Sequence, residues 1–250
     1  MPKHYFISDL HLGAAYVADH RAHEQRVTRF LDTVKGDAAS LWLLGDVLDY
    51  WFEYRKVVPR GHVRFLGKLA ELADAGVDIH WFTGNHDVWL RDYLRDEIGL
   101  TVHHAATTVT LDGHRLFLAH GDDVGRQPAM YRFTRWCFHN PVCQWLYAAI
   151  HPRWTTAVAT GWSADNRTRR KPKREHRAQD NAFARLVHFA EAHHSQHNDV
   201  DTYIFGHLHM ARQQNIDAGN AQIICLGDWL HHDTYAFLSD GTITLQAFHS

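Results

Sequence analysis

Leu41 to Asp49, LWLLGDVLD, is the stretch that most limits what this chain can become. Its apolar run reads as a buried strand, and Gly45-Asp46 delivers a carboxylate at the mouth of that strand. A Gly-Asp pair in this position also closes turns and caps helices. Four companions set this one apart: Asp9 and His11 in ISDLHLG, Asn85-His86-Asp87 in FTGNHD, His120 in FLAHGD, and His207 with His209 in IFGHLH.

Each of these polar tips follows an apolar run, so the chain repeats a unit of strand, polar loop and helix. Tyr5 to Ile7 leads into the first loop, Ser40 to Leu44 into the second and Asp78 to Phe82 into the third. Between them, Val27, Phe30, Leu31 and Val34 mark one helical stripe within about Asp19 to Val34. Val63, Leu66, Leu69, Leu72 and Ala73 mark another over His62 to Ala75, with Gly76 just past its end. That rhythm predicts an α/β architecture with its functional loops at the strand C-terminal edge. The second half changes character. Thr107 to Leu111 and Arg115 to Ala119 read as a hairpin closed by Asp112-Gly113, and a helix over Asp180 to His194 precedes the strand Thr202 to Phe205. Short strands follow near Arg212 to Ile216, Gln222 to Leu226, Thr234 to Leu238 and Thr242 to Phe248. Two sheets packed face to face with helices outside accommodate this order, as one domain over residues 1–250.

Composition narrows the class. The chain has 250 residues, 45% hydrophobic and 22% charged, and a net charge of −2, the balance of a soluble globular protein and not of a nucleic-acid binder. Cys137, Cys143 and Cys225 are odd in number and form no CxxC pair, which speaks against a disulfide framework or a structural zinc knot and for a reducing compartment. Met1 to His4 runs straight into the first strand without an apolar leader region, and no apolar run approaches bilayer length. The expected location is the cytoplasm, peripheral to a membrane. Nothing in the pattern specifies an oligomeric state.

Carboxylate, imidazole and amide oxygen, without thiolates, suit divalent first-row ions such as Mn, Fe or Zn. Each piece alone has a plain alternative: Asp9 and His11 as a cap beside a core histidine, Asn85 to Asp87 as a turn, His120 to Asp122 as a hairpin end. Gly206 to His209 alternates as a strand would, which places both imidazoles on one face. Six or seven ligands exceed what one tetrahedral ion takes, so two ions sharing Asp46 are expected. Histidine ligands must be neutral, so occupancy should fall below about pH 6.

The series DLH, GDVLD, GNHD, HGD and GHLH resembles the calcineurin-like metallophosphoesterase superfamily over Asp9 to His209. The resemblance implies a four-layer α/β/β/α sandwich with a dinuclear centre. Asp9, His11, Asp46 and His209 would hold one ion, and Asp46, Asn85, His120 and His207 the other. His86 would contact the scissile phosphate. Within the superfamily, GDVLDYWFEYR and the segment Trp136 to Leu146 are similar to the UDP-2,3-diacylglucosamine pyrophosphatase group of lipid A biosynthesis, whose reaction yields the diacylated sugar 1-phosphate and UMP. The best-known branch of that group carries Arg at the position of His86, so this chain matches a sister branch.

The residues between HGD and GHLH form a helical insertion, about 124–178. Met130 to Trp154 is crowded with aromatic residues, and Arg167 to Arg177 carries seven basic side chains, Arg167, Arg169, Arg170, Lys171, Lys173, Arg174 and Arg177, beside Glu175 alone. Together they could cover acyl chains and hold a diphosphate or anionic membrane head groups; plain core packing and a solvated basic face are the alternatives. By resemblance, Ser163, Asn166, Arg167 and Arg170 fall in the head-group segment, with Asp122, Arg126 and Tyr131 lining the same cleft. A soluble nucleotide phosphodiesterase, which needs no apolar lid, is the competing enzyme. A metal-stabilised scaffold docking a partner protein is the non-enzymatic alternative.

Overall fold

The computed structural model describes residues 2–125, 127–155 and 172–249. Among the described residues eleven strands form two sheets. In the first, β1 (Lys3–Ile7), β2 (Ala38–Leu44), β3 (Asp78–Phe82) and β4 (Thr101–His103) run parallel; β10 (Thr234–Ser239) pairs antiparallel with β1, and β11 (Thr242–Ala247) with β10. In the second, β6 (His114–Ala119), β7 (Thr202–Phe205) and β9 (Ala221–Leu226) run parallel, flanked by antiparallel β5 (Thr107–Leu111) and β8 (Ala211–Ile216).

Side-chain alternation along the strands produces the layers. Phe6, Trp42, Leu44 and Phe82 point between the sheets and meet Leu116, Leu118, Ile204, Ile224 and Leu226. Their neighbours Ile7, Leu41, Leu43 and Trp81 face outward onto α1 (His20–Val34) and α2 (Val63–Asp74), through Val27, Phe30, Phe65 and Leu69. On the other side Phe117, Tyr203, Phe205 and Ile223 pack on Phe183, Leu186 and Ala190 of a long helix over Pro172–His194. The molecule is therefore the expected α/β/β/α sandwich. Because every core strand is covered on both faces, the polar residues beyond the strand ends are brought to one rim.

Local signals behave as their chemistry requires. Asp112 and Gly113 both take positive φ, 49° and 83°, which a type I′ hairpin turn needs, and Gly76 ends α2 at φ 90°. Three readings are corrected. The helix expected from Asp180 begins at Pro172, a residue that suits a first helical turn because it has no N–H to leave unpaired. α3 (Tyr93–Ile98) and β4 are additional elements, too short to show a period. Gly206 to His209 is not a strand: His207 and His209 take φ of 66° and 51°, so the run after β7 is a loop whose backbone turns at each histidine.

The aromatic region forms α4 (Ala129–His139) and α5 (Pro141–Ala148), with Asn140 capping the second helix by accepting from the N–H groups of Val142 and Cys143. In chain order the Pro172–His194 helix is α6. The α4–α5 hairpin is divided between packing and exposure. Phe138 and Tyr147 face inward onto Phe52 and Trp89, at ring-centroid distances of 4.8–5.2 Å, and Trp89 Nε1 donates to the Phe138 carbonyl at 2.9 Å. Met130, Phe133, Trp136, Val142, Trp145, Leu146, Ile150 and Trp154 are exposed.

Candidate metal centre

Asp9 and His11 leave β1, Asp46 leaves β2, Asn85 and His86 follow β3, His120 follows β6, and His207 and His209 follow β7. All lie at strand C-terminal ends. Three groups of side chains come close enough to share a cation: Asp9 with His11 and His209, Asp46 with His120 and His207, and His11 with Asp46 and His86. Five of these residues, Asp9, His11, Asp46, His207 and His209, have positive φ. Left-handed backbone at non-glycine residues is strained and clusters at functional sites. Two glycines allow the loops to close on one another. A Cβ on Gly84 would run into the Asp46 amide and carboxylate, and one on Gly206 into the Ser8 hydroxyl and Asp9 carboxylate.

The hydrogen bonds use one side of each group and leave the other. Asp9 Oδ2 accepts from Ser8 Oγ at 2.7 Å and from the His207 N–H at 2.8 Å, while Asp9 Oδ1 makes no hydrogen bond. Asp46 Oδ1 accepts from the His86 N–H at 2.8 Å; its Oδ2 lies 3.4 Å from His120 Nε2 and 3.8 Å from His11 Nε2, between the two histidines. His120 Nδ1 is 2.8 Å from the Leu44 carbonyl, His11 Nδ1 is 3.1 Å from Asp49 Oδ1, and His209 Nδ1 is 3.1 Å from Asp228 Oδ2. These oxygens can only accept, so each of these rings offers them a proton on Nδ1, and in the neutral ring the lone pair is then on Nε2. His11 Nε2, His120 Nε2 and Asn85 Oδ1 are buried and without a hydrogen-bond partner. Buried polar atoms are rarely left so, and a divalent cation is what this set of oxygens and imidazole nitrogens fits.

The electrostatics agree. Burial works against charge throughout, yet the Asp9 and Asp46 carboxyls are held below the usual range by the surrounding histidines. In return, burial notwithstanding, the hydrogen bond to Asp49 and the nearby Asp9 and Asp46 carboxylates raise His11 to about 10, and the Asp46 carboxylate raises His120 well above its ordinary value. The buried carboxylates demand positive charge at one point. Burial, with His120 nearby, pushes His207 down to about 4, so that ring stays neutral.

Three carboxylates brace the site. Asp87 accepts from the Gly84 and Val47 N–H groups at 2.7 and 2.9 Å and from Trp81 Nε1 at 3.2 Å, tying the loops after β2 and β3 together. Burial and the Asp46 charge raise Asp87 to about 6. Asp49 reaches His11 with its carboxylate and His86 Nδ1 with its carbonyl at 3.0 Å. Asp228, 19 residues beyond His209, lies outside the motifs that marked the site. Asp122 and Tyr131 line a cleft with Asn85, and Tyr131 donates to Asp122 at 2.9 Å. Arg135, which sequence reasoning did not single out, lines it too and pairs with Asp123 at 2.8 Å. Arg126, Ser163, Asn166, Arg167 and Arg170 lie outside the described residues.

A two-sheet sandwich with carboxylates, imidazoles and an amide at its strand ends fits a metal-dependent hydrolase. A protein of Porphyromonas gingivalis named UDP-2,3-diacylglucosamine hydrolase is 41% identical over 259 residues, covering 98% of this chain and 97% of the relative. One of the same name from Ralstonia nicotianae is 30% identical over 97% of this chain and 91% of its own length. The chain belongs to the UDP-2,3-diacylglucosamine hydrolase family. Among solved structures, an archaeal phosphodiesterase is 13% identical (98% of this chain and 99% of that one, TM-score 0.48). The phosphoesterase Yfce of E. coli is 16% identical (98% and 92%, TM-score 0.47). No protein-family model matches the chain.

Proposed function

We propose that this chain hydrolyses the diphosphate of UDP-2,3-diacylglucosamine at a pair of divalent ions. The observation that carries the reading is the placement of buried, partnerless His11 Nε2 and His120 Nε2 at 3.8 and 3.4 Å from Asp46 Oδ2, with partnerless Asp9 Oδ1 3.7 Å from His11 Nε2 and partnerless Asn85 Oδ1 in the loop after β3. Asp9, His11, Asp46 and His209 would hold one ion, and Asp46, Asn85, His120 and His207 the second, with Asp46 common to both. Mn2+ suits these ligands, and Fe or Zn is compatible with them. When bound, such ions acidify an attacking water and balance charge on phosphate oxygens.

His86 Nδ1–H is held by the Asp49 carbonyl, and as an imidazolium the ring would donate from Nε2 to a phosphate oxygen of the substrate. In the proposed reaction the water oxygen bonds to the α-phosphorus as the bond to the bridging oxygen breaks. The bridging oxygen leaves on 2,3-diacylglucosamine 1-phosphate, and UMP carries the new oxygen. The substrate rests on the name of the 41% identical relative.

The α4–α5 hairpin fits a lipid substrate presented at a surface. Its inner face is anchored on Phe52 and Trp89, its outer face is apolar, and between Asp123 and Asp165 the sequence carries no acidic residue but includes Arg126, Arg132 and Arg153 besides Arg135, which pairs with Asp123. Aromatic and basic side chains without acids are what an anionic bilayer interface attracts. Among the described residues no helix is long and apolar enough to cross a membrane. We place the protein in the cytoplasm, peripheral to the inner membrane, with this hairpin against the lipid. The test is Mn2+-supported turnover of UDP-2,3-diacylglucosamine beside a water-soluble phosphodiester. Preference for the lipid with UMP release is expected; preference for the soluble ester without UMP would retain the phosphoesterase and discard the substrate.

A further inference from the structure

Asp228 follows β9 in a short loop that no metal ligand shares, and it is buried to 1% exposure. Its two oxygens have different partners. Oδ1 accepts from the N–H groups of Leu230, His231 and His232 at 3.3, 2.9 and 3.2 Å and faces His232 Nδ1 at 3.0 Å. Oδ2 lies 3.1 Å from His209 Nδ1. The loop is itself pinned beside Asp9: the Trp229 N–H donates to the Asp9 carbonyl at 3.1 Å, Arg26 donates to the Trp229 carbonyl at 2.7 Å, and Arg26 pairs with Asp233 at 3.0 Å. His209 Nε2 lies 3.5 Å from Asp9 Oδ1.

We propose that Asp228 is a positioning residue of the centre: it fixes His209 as the Nδ1–H tautomer, so that the Nε2 lone pair stands beside Asp9, ready to bind a metal ion. The inference rests on the dinuclear reading above. A proton on Nε2 would abolish that lone pair, and without Asp228 the Asp9 carboxylate, 3.5 Å from Nε2, would draw the proton there. Carboxylate, imidazole and metal in line is a recurrent way to raise the ligand's basicity and hold its ring.

Asp228→Asn separates this role from that of a turn-former. An asparagine oxygen still accepts the three backbone N–H groups, so its NH2 falls towards His209 Nδ1 and drives the proton to Nε2. Mn2+ titration should then show one of two sites weakened by about 10- to 100-fold and the other within about threefold of the unsubstituted protein. Equal affinities in the two proteins would overturn the inference alone; no Mn2+ binding by the unsubstituted protein would overturn the dinuclear reading and this inference with it. If the variant does not fold, the 15N spectrum of the unsubstituted protein in chelator at about pH 8.5, where an ordinary histidine is neutral, decides: a proton on Nδ1 of His209 supports the assignment and one on Nε2 overturns it.

Discussion

Replacing Trp136 and Trp145 together by serine would strip two exposed indoles from the outer face of the α4–α5 hairpin. They are 58% and 69% exposed. With about 250 Å2 for a whole Trp side chain they present roughly 145 and 170 Å2, and at about 25 cal/mol per Å2 complete burial would be worth roughly 8 kcal/mol. A seat at a bilayer interface removes about half of that area, so about 4 kcal/mol, or about a thousandfold in partitioning, should be lost. The assay is co-sedimentation with anionic vesicles, run beside hydrolysis of a water-soluble phosphodiester and thermal unfolding. Binding should collapse while the soluble turnover and the Tm hold, because neither ring belongs to the core clusters or the metal-ligand groups. Vesicle affinity within about threefold of the unsubstituted protein would refute the surface role of this face.

Other perturbations separate fold from site. Asn85→Ala removes a buried oxygen with no hydrogen-bond partner, so stability should stay within about 1 kcal/mol in chelator while Mn2+ affinity drops; an unchanged affinity would remove Asn85 from the ligands. Gly84→Ala forces a methyl against Asp46 and should cost about 1–3 kcal/mol together with metal content; an unchanged Tm would contradict that packing. Burial, with Arg26 close by, pushes His23 down to about 4. The unfolded chain binds that proton from about pH 6.5. Stability from the neutral ring is therefore complete above about pH 6.5 and lost as the pH falls towards about 4, by at most about 3 kcal/mol. Relative to a His23→Leu variant, the unsubstituted protein should weaken across that window; parallel curves would contradict the assignment.

The layers and the rim were legible because they follow from one local rule, an apolar strand that ends in a polar loop. Asp46 at the end of β2 and His120 at the end of β6 are both found that way, and the Asp112-Gly113 turn needed only its positive-φ chemistry. The GHLH loop misled because alternation is also produced by a backbone that turns at His207 and again at His209. Asp228 carries no signal of its own: a Gly-Asp after β9 reads as any other turn, and only the fold brings it to a histidine 19 residues earlier in the chain. The division of the aromatic hairpin into an anchored face and an exposed one depends on which rings meet Phe52 and Trp89, a tertiary fact that helical spacing within α4 and α5 does not contain.

The central claim is attack of water on the α-phosphorus at this rim, and hydrolysis of UDP-2,3-diacylglucosamine in 18O-labelled water with Mn2+ tests it most directly. The account predicts one labelled oxygen in UMP and none in the sugar 1-phosphate. Label in the sugar 1-phosphate, or turnover that yields no UMP, would contradict it.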